Sequence, residues 1–182
     1  MSQIAFSSIP TWARPAAPVE EDLPALSGRS YLLIGVGDAS GAGLRRWADA
    51  LPDDVTLRTL TFDDVDTASE ALRDELWRSR IGVRFVIVAT AGAALALRGV
   101  AMTAGLEDDE IHVTVHGSGA IEVFCSHCRT VTSAQPTVDD VVDCAGCDRA
   151  LLVYHHVSRR SGRYLGFMVD AETPAIAEDL PS

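Results

Sequence analysis

An α/β protein followed by a small metal-pinned sheet is the fold class this sequence predicts, and three observations carry the expectation. Between residues 30 and 116 short apolar runs alternate with stretches of helical periodicity, and that alternation specifies a parallel sheet covered by helices. The chain's four cysteines form two CxxC pairs, Cys125-Ser126-His127-Cys128 and Cys144-Ala145-Gly146-Cys147, separated by fifteen residues. Beyond the second pair, two apolar runs flank Ser158-Arg159-Arg160-Ser161-Gly162, and polar residues closing on glycine between such runs are a hairpin signal.

Taken in order, residues 1–27 carry Pro10, Pro15, Pro18 and Pro24 with an acidic cluster at Glu20, Glu21 and Asp22. This leader is expected to be extended, with Ile4, Phe6, Ile9 and Trp12 seeking a docking surface. Residues 31–36 read as a buried strand, 41–51 as a helix and 55–60 as a second strand. A helix is expected over 63–80, with Ala68, Ala71, Leu72 and Leu76 on one face. Residues 83–89 form a third strand, 92–104 a third helix and 110–115 a fourth strand. Gly117-Ser118-Gly119 marks a boundary. The expected division is thus 1–27 extended, 28–117 α/β, 118–173 metal-binding and 174–182 a tail.

In the metal-binding part, residues 121–124 lead as a strand into the first CxxC pair, 130–132 lead away, and 138–142 return to the second. Residues 151–157 and 163–169 then pair as the hairpin, giving a small antiparallel sheet. A CxxC turn places two thiolates on one tight loop, and two such loops make a tetrahedral four-sulfur cage, the arrangement of a zinc ribbon. A thioredoxin-type site would instead want one CxxC at a strand-to-helix junction. Four thiolates also suit iron, so a rubredoxin-like carrier stands as the alternative. Gly146 is expected to supply a left-handed turn, and Arg129 and Arg149, just after the two pairs, to offset the negative charge. His127 is expected to lie exposed on its loop, with replacement of one cysteine as its other role. Some 55 residues bury little apolar surface, whereas a structural zinc contributes on the order of 10 kcal/mol, so the ion is expected to decide whether this part folds.

Composition excludes several functions. All fifteen basic residues are arginine, and the formal net charge is −11, so nucleic acid is excluded as a general partner. The N-terminus lacks the basic and apolar regions of a signal peptide. The longest apolar run, residues 85–97, is too short to span a bilayer. A soluble cytoplasmic protein is expected, where thiols stay reduced and bind metal in preference to forming disulfides.

The glycine cluster Gly35-Val36-Gly37-Asp38-Ala39-Ser40 places Ser40 where a dinucleotide fingerprint needs its third glycine, and Asp38 adds negative charge beside a pyrophosphate's position. Asp63 and Asp64 stand near the distance of a ribose-binding carboxylate. Residues 30–116 resemble the nicotinamide-binding half of ferredoxin reductases, with Val86-Ile87-Val88-Ala89-Thr90-Ala91-Gly92 lacking the Cys-Gly-Pro turn of that family. The resemblance implies a degenerate Rossmann-like scaffold without its cofactor.

The segment from Phe124-Cys125-Ser126-His127-Cys128-Arg129 through Cys144-Ala145-Gly146-Cys147-Asp148-Arg149 to Leu165-Gly166-Phe167-Met168-Val169-Asp170 resembles the C-terminal domain of the small subunit of bacterial dimethylamine monooxygenases. That resemblance implies a complex in which a haem subunit activates oxygen and removes a methyl group from dimethylamine as formaldehyde. A second subunit with FMN and an iron-sulfur cluster brings electrons from NADPH. The present chain is then the accessory subunit, with no catalytic residue and zinc or iron on Cys125, Cys128, Cys144 and Cys147. Its hairpin tip, with Arg159, Arg160 and Arg163, is expected to fork onto a partner's carboxylates. His155 and His156 alternate along a strand, so at most one is buried; either is a candidate to reach across the interface.

Overall fold

The computed structural model describes residues 7–14, 27–79, 82–117 and 119–169. Two sheets make up its frame. The first has four parallel strands in the order β2-β1-β3-β4, formed by β1 (Ser30–Val36), β2 (Thr56–Phe62), β3 (Val83–Ala89) and β4 (Ile111–Val115). The helices α1 (Ser40–Asp49), α2 (Val65–Arg78) and α3 (Ala91–Thr103) connect them. This is the parallel, helix-covered sheet that the alternation of apolar runs specifies.

Strand periodicity decides which helix covers which face. One face of the sheet presents Tyr31, Leu33, Val86 and Val88, and α1 closes over it with Leu44 and Trp47. The other presents Leu32, Ile34, Phe85 and Ile87, and α2 and α3 close over it with Leu72, Ala94 and Leu97. Because β1 and β3 are buried on both faces, they read as unbroken apolar runs, while the edge strand β2 is largely exposed. Asp64 ends the chain's approach to α2: its Oδ1 accepts from the Thr67 amide at 2.8 Å and its Oδ2 from the Thr67 hydroxyl at 2.8 Å. The cap also holds its carboxyl below the ordinary range, through the Thr67 amide first. Asp64 therefore starts a helix.

The second sheet runs β6-β5-β9-β8-β7, from β5 (Ile121–Cys125), β6 (Val131–Ala134), β7 (Val141–Asp143), β8 (Ala150–Val157) and β9 (Tyr164–Met168). It is mixed, not antiparallel as expected, because β5 and β9 pair in parallel. The reason is geometric. Each CxxC turn joins an antiparallel pair, β5 with β6 and β7 with β8. If the two turns lie at the same end of the sheet, β5 runs toward that end and β8 away from it. Strand β9, antiparallel to β8, must then run alongside β5 in the same direction.

Helix α3 lies between the two sheets and is buried nearly all round, with Leu97 and Ala101 toward the first sheet and Leu95 in the core of the second. Contact is close enough to require glycine. A β-carbon on Gly92 would lie 1.8 Å from the Ala120 carbonyl oxygen, and one on Gly99 would lie 2.9 Å from the Ser161 carbonyl carbon. Part of the leader seals the junction. Ile9 is 1% exposed, Trp12 packs against both cores, and the Ser8 hydroxyl and the Val157 backbone exchange two hydrogen bonds. Ile4 and Phe6 lie outside the described residues.

These contacts give opposite expectations for two helical glycines. Gly41→Ala in α1 meets only Arg45 Nη1, at 3.6 Å, so it is expected to stabilise by up to about 1 kcal/mol through helix propensity. Gly92→Ala gains the same propensity but drives a methyl group into fixed backbone, and is expected to lose about 1–3 kcal/mol net. Urea denaturation of the two variants checks the difference in sign.

Candidate metal centre

Both CxxC turns fold in the same way, and the hydrogen bonds repeat position by position. In the first, the Arg129 amide donates to the Cys125 carbonyl at 3.0 Å and the Cys125 amide to the Thr130 carbonyl at 2.9 Å. In the second, the Asp148 amide donates to Cys144 and the Cys144 amide to Arg149, both at 2.9 Å. The left-handed residue is the one after each second cysteine, Arg129 at φ 65° and Asp148 at φ 55°. Gly146 has no left-handed φ, contrary to the expectation from sequence. Its role is proximity, since a β-carbon there would lie 2.2 Å from Thr130 Oγ1, across the gap between the turns.

The turns bring the four sulfurs together. Cys125 Sγ lies 3.9 Å from Cys147 Sγ, and Cys128 Sγ lies 3.5 Å from Cys144 Sγ. All four ligand atoms fall within 4.8 Å of one another. A tetrahedral ion with sulfur ligands at about 2.3 Å requires sulfur–sulfur edges of about 3.8 Å, and these separations bracket that value. They are far longer than the bond of a disulfide, about 2.05 Å, and all four cysteines are free. The donor set therefore fits a four-coordinate, thiophilic metal ion. Among the described residues this is the one group of histidine, cysteine and acidic side chains with such convergence.

Backbone amides prepare the sulfurs for negative charge. The Cys128 amide points at Cys125 Sγ at 3.5 Å, and the Gly146 amide at Cys144 Sγ at 3.4 Å. The Thr130 hydroxyl and amide, aided by other sulfurs, bring the Cys128 thiol down to about 6. At Cys147 the Arg149 amide pulls the same way, but burial and the three other sulfurs prevail and push the thiol up to about 12. The pocket thus accommodates one thiolate readily and resists the last, as expected of four sulfurs whose combined charge requires a cation. Thr130 and Thr132, whose hydroxyl accepts from the Ala145 amide at 3.0 Å, escaped the reading from sequence. For Thr130 the signal was its position two residues after the first CxxC pair, where Arg149 stands after the second; Thr132 had none.

The other candidate residues are more dispersed. His127 is exposed on its turn. Arg149 directs its guanidinium to Met168 Sδ, at 3.1 Å, and its backbone amide to Cys147. His155 is buried and His156 exposed, as the alternation along β8 requires. The hairpin tip rests on α3 of its own chain, where the Thr103 hydroxyl donates to the Arg160 carbonyl at 3.2 Å. Arg159 pairs with Asp108, which also holds the buried Arg98. Arg163 pairs with Glu122 at 2.8 Å. Among the described residues, the Arg160 side chain makes no ion pair.

At the first sheet, ligands of open α/β folds bind beyond the carboxyl ends of the strands, where the strand order reverses. Here that point lies between β1 and β3. The connection to the second sheet lies against the segment that follows β3: the Ala120 carbonyl abuts Gly92, and Gly119 abuts the Thr90 side chain. No helix among the described residues is long and apolar enough to cross a membrane.

Comparison with known proteins agrees with this geometry. Residues 122–167 match the family model described as "Dimethylamine monooxygenase subunit DmmA-like, C-terminal domain". The "Heme-dependent oxidative N-demethylase delta subunit" of Ectopseudomonas mendocina (strain ymp) is 32% identical over 167 residues, covering 88% of this chain and 90% of the relative. No solved structure matches the chain. The matched segment contains both CxxC turns and the hairpin, and the likeness extends through the parallel sheet, so the chain belongs to the DmmA-like family of N-demethylase accessory subunits.

Proposed function

We propose that this chain is the metal-bearing, non-catalytic small subunit of a haem-dependent, NADPH-driven demethylase complex that converts dimethylamine to methylamine and formaldehyde in the cytoplasm. The observation that carries the metal assignment is the convergence of four sulfurs from two equivalent turns within 4.8 Å. In this reading Cys125, Cys128, Cys144 and Cys147 hold one zinc ion. Four sulfurs close its coordination shell, leaving no position for oxygen or substrate. Chemistry then belongs to partner subunits carrying haem, FMN and an iron-sulfur cluster. The chain's work is to hold those subunits in register, with residues 28–117 as a cofactor-free scaffold and 118–173 as the metal unit. His155, His156, Arg159, Arg160 and Arg163 mark the neighbourhood of docking.

A rubredoxin-like iron carrier is the second reading, favoured by the amide-to-sulfur hydrogen bonds and by the partial exposure of Cys128 and Cys147. Elemental analysis and the visible spectrum of the purified complex separate the two. One zinc per chain and no absorbance from this subunit support the structural site; a red protein that bleaches on reduction supports the carrier. Full turnover by the other subunits in the absence of this chain would count against an assembly role.

Three further outcomes are expected. Cys144→Ser removes a buried ligand and should abolish stoichiometric metal, with loss of the second sheet's protection in hydrogen exchange, because the ion's binding energy is folding energy. Gly146→Ala forces the second turn away from Thr130 and should weaken metal retention against a chelator about tenfold, the factor that about 1.4 kcal/mol of misfit gives. Acid should release the ion. Thiols bound to metal have depressed pKa values, so the stability they confer is full above the free-thiol range of about 8.5 and falls progressively as pH drops and protons compete with the ion for the four sulfurs. A zinc-indicator titration from neutral to acidic pH measures that release.

A further inference from the structure

A groove of about 540 Å³ opens between α2, α3 and the tip of the β8–β9 hairpin. Its floor includes Gly99 and Val100 of α3, and one wall is Leu76 and Trp77 of α2. Trp77 is 91% exposed. It lies one residue past Leu76 and so turns off the helix's core stripe, onto the stripe of Arg73, one turn back. Arg160 lines it as well. Three arginines, Arg73, Arg160 and Arg163, therefore line a groove with an apolar floor and a bare indole at its edge, on a chain whose net charge is −11. Neither Arg73 nor Arg160 forms an ion pair among the described residues, whereas Arg159 and Arg163 are held by Asp108 and Glu122.

We infer that this groove docks an acidic segment of another subunit, seating an apolar side chain on the floor against Trp77 and carboxylates on Arg73 and Arg160. The inference rests on the reading of the chain as a complex subunit and names the surface that reading requires. Charge complementarity selects the occupant: guanidinium forks match carboxylates bidentately, and tryptophan and arginine beside an apolar floor are the residue types that dominate binding energy. The position also explains why the hairpin tip must be fixed. The tip contributes Arg160, and its backbone is set on α3 by the contact with Gly99 and the hydrogen bond from Thr103. Only a tip held in place keeps Arg160 in the same groove as Arg73.

The test reconstitutes the full chain with co-expressed haem and reductase subunits of the same demethylase and measures affinity by titration calorimetry. Trp77→Ala is expected to weaken binding about tenfold or more, and the double variant Arg73→Glu with Arg160→Glu to weaken it at least as much. Metal content and thermal midpoint should stay at wild-type values, since all three side chains lie at the surface. Raising ionic strength from about 0.01 M to about 0.15 M shortens the screening length from about 30 Å to about 8 Å, so wild-type affinity should fall and the charge-reversed variant should lose that dependence. Unchanged affinity in both variants overturns the groove as the dock and leaves the subunit reading standing. A wild-type chain that fails to join the complex overturns the reading and the inference together. A wild-type dimer in sedimentation that Trp77→Ala dissolves would assign the groove to a second copy. A chain ending at Val169 whose Trp77 emission shifts to the red would assign it to residues 170–182. Either result overturns the inference.

Discussion

The close approach of α3 to the second sheet is the constraint on which the rest of this structure depends. A helix that is apolar all round has no face to give to water, and a single sheet covers only half of it. Leu95 is buried in one core and Leu97 in another, so neither sheet is complete without the helix between them. Small residues make the approach feasible. At Gly92 and Gly99 the neighbouring backbone occupies the space of a side chain, and the packing gained is lost if either position carries bulk.

From that contact the β8–β9 hairpin reaches back to the sulfurs. Strand β8 has eight residues, which span roughly 26 Å. At one end the strand follows the second CxxC turn; at the other the hairpin tip rests on α3. A metal ion at the base and a helix at the tip therefore fix the same hairpin from both ends. The buried Arg98 strengthens the tip's seat by holding Asp108, which also receives Arg159. An exposed ion pair would add little in isolation, but a shared carboxylate between a buried and an exposed guanidinium ties the hairpin to the helix's surroundings.

How much of this was legible in advance depends on the distance over which each signal acts. The strands of the first sheet were readable because burial on both faces writes unbroken apolar runs, as in residues 83–89. The cysteine spacing identified the candidate metal centre because CxxC geometry is local. The direction of β9 was not readable, since it follows from where the two turns meet and not from any residue in the strand. The same holds for Gly146. Its identity suggested a left-handed turn, while the structure assigns that conformation to Arg129 and Asp148 and gives the glycine Thr130 as a neighbour, sixteen positions away in the chain. The hairpin arginines show the other limit: their charge was evident, but Asp108 and Glu122 as partners for Arg159 and Arg163 come from remote segments.

Sequence alone determined the order and type of the elements, the alternation that lets at most one of His155 and His156 be buried, and the four ligand candidates, because each depends on backbone periodicity or on neighbours within a few residues. Tertiary structure decided the mixed order of the second sheet, the seating of the tip on α3, the contact at Gly92 and the groove at Trp77. Those features arise where segments distant in the chain compete for the same space, and periodicity carries no record of which segment arrives.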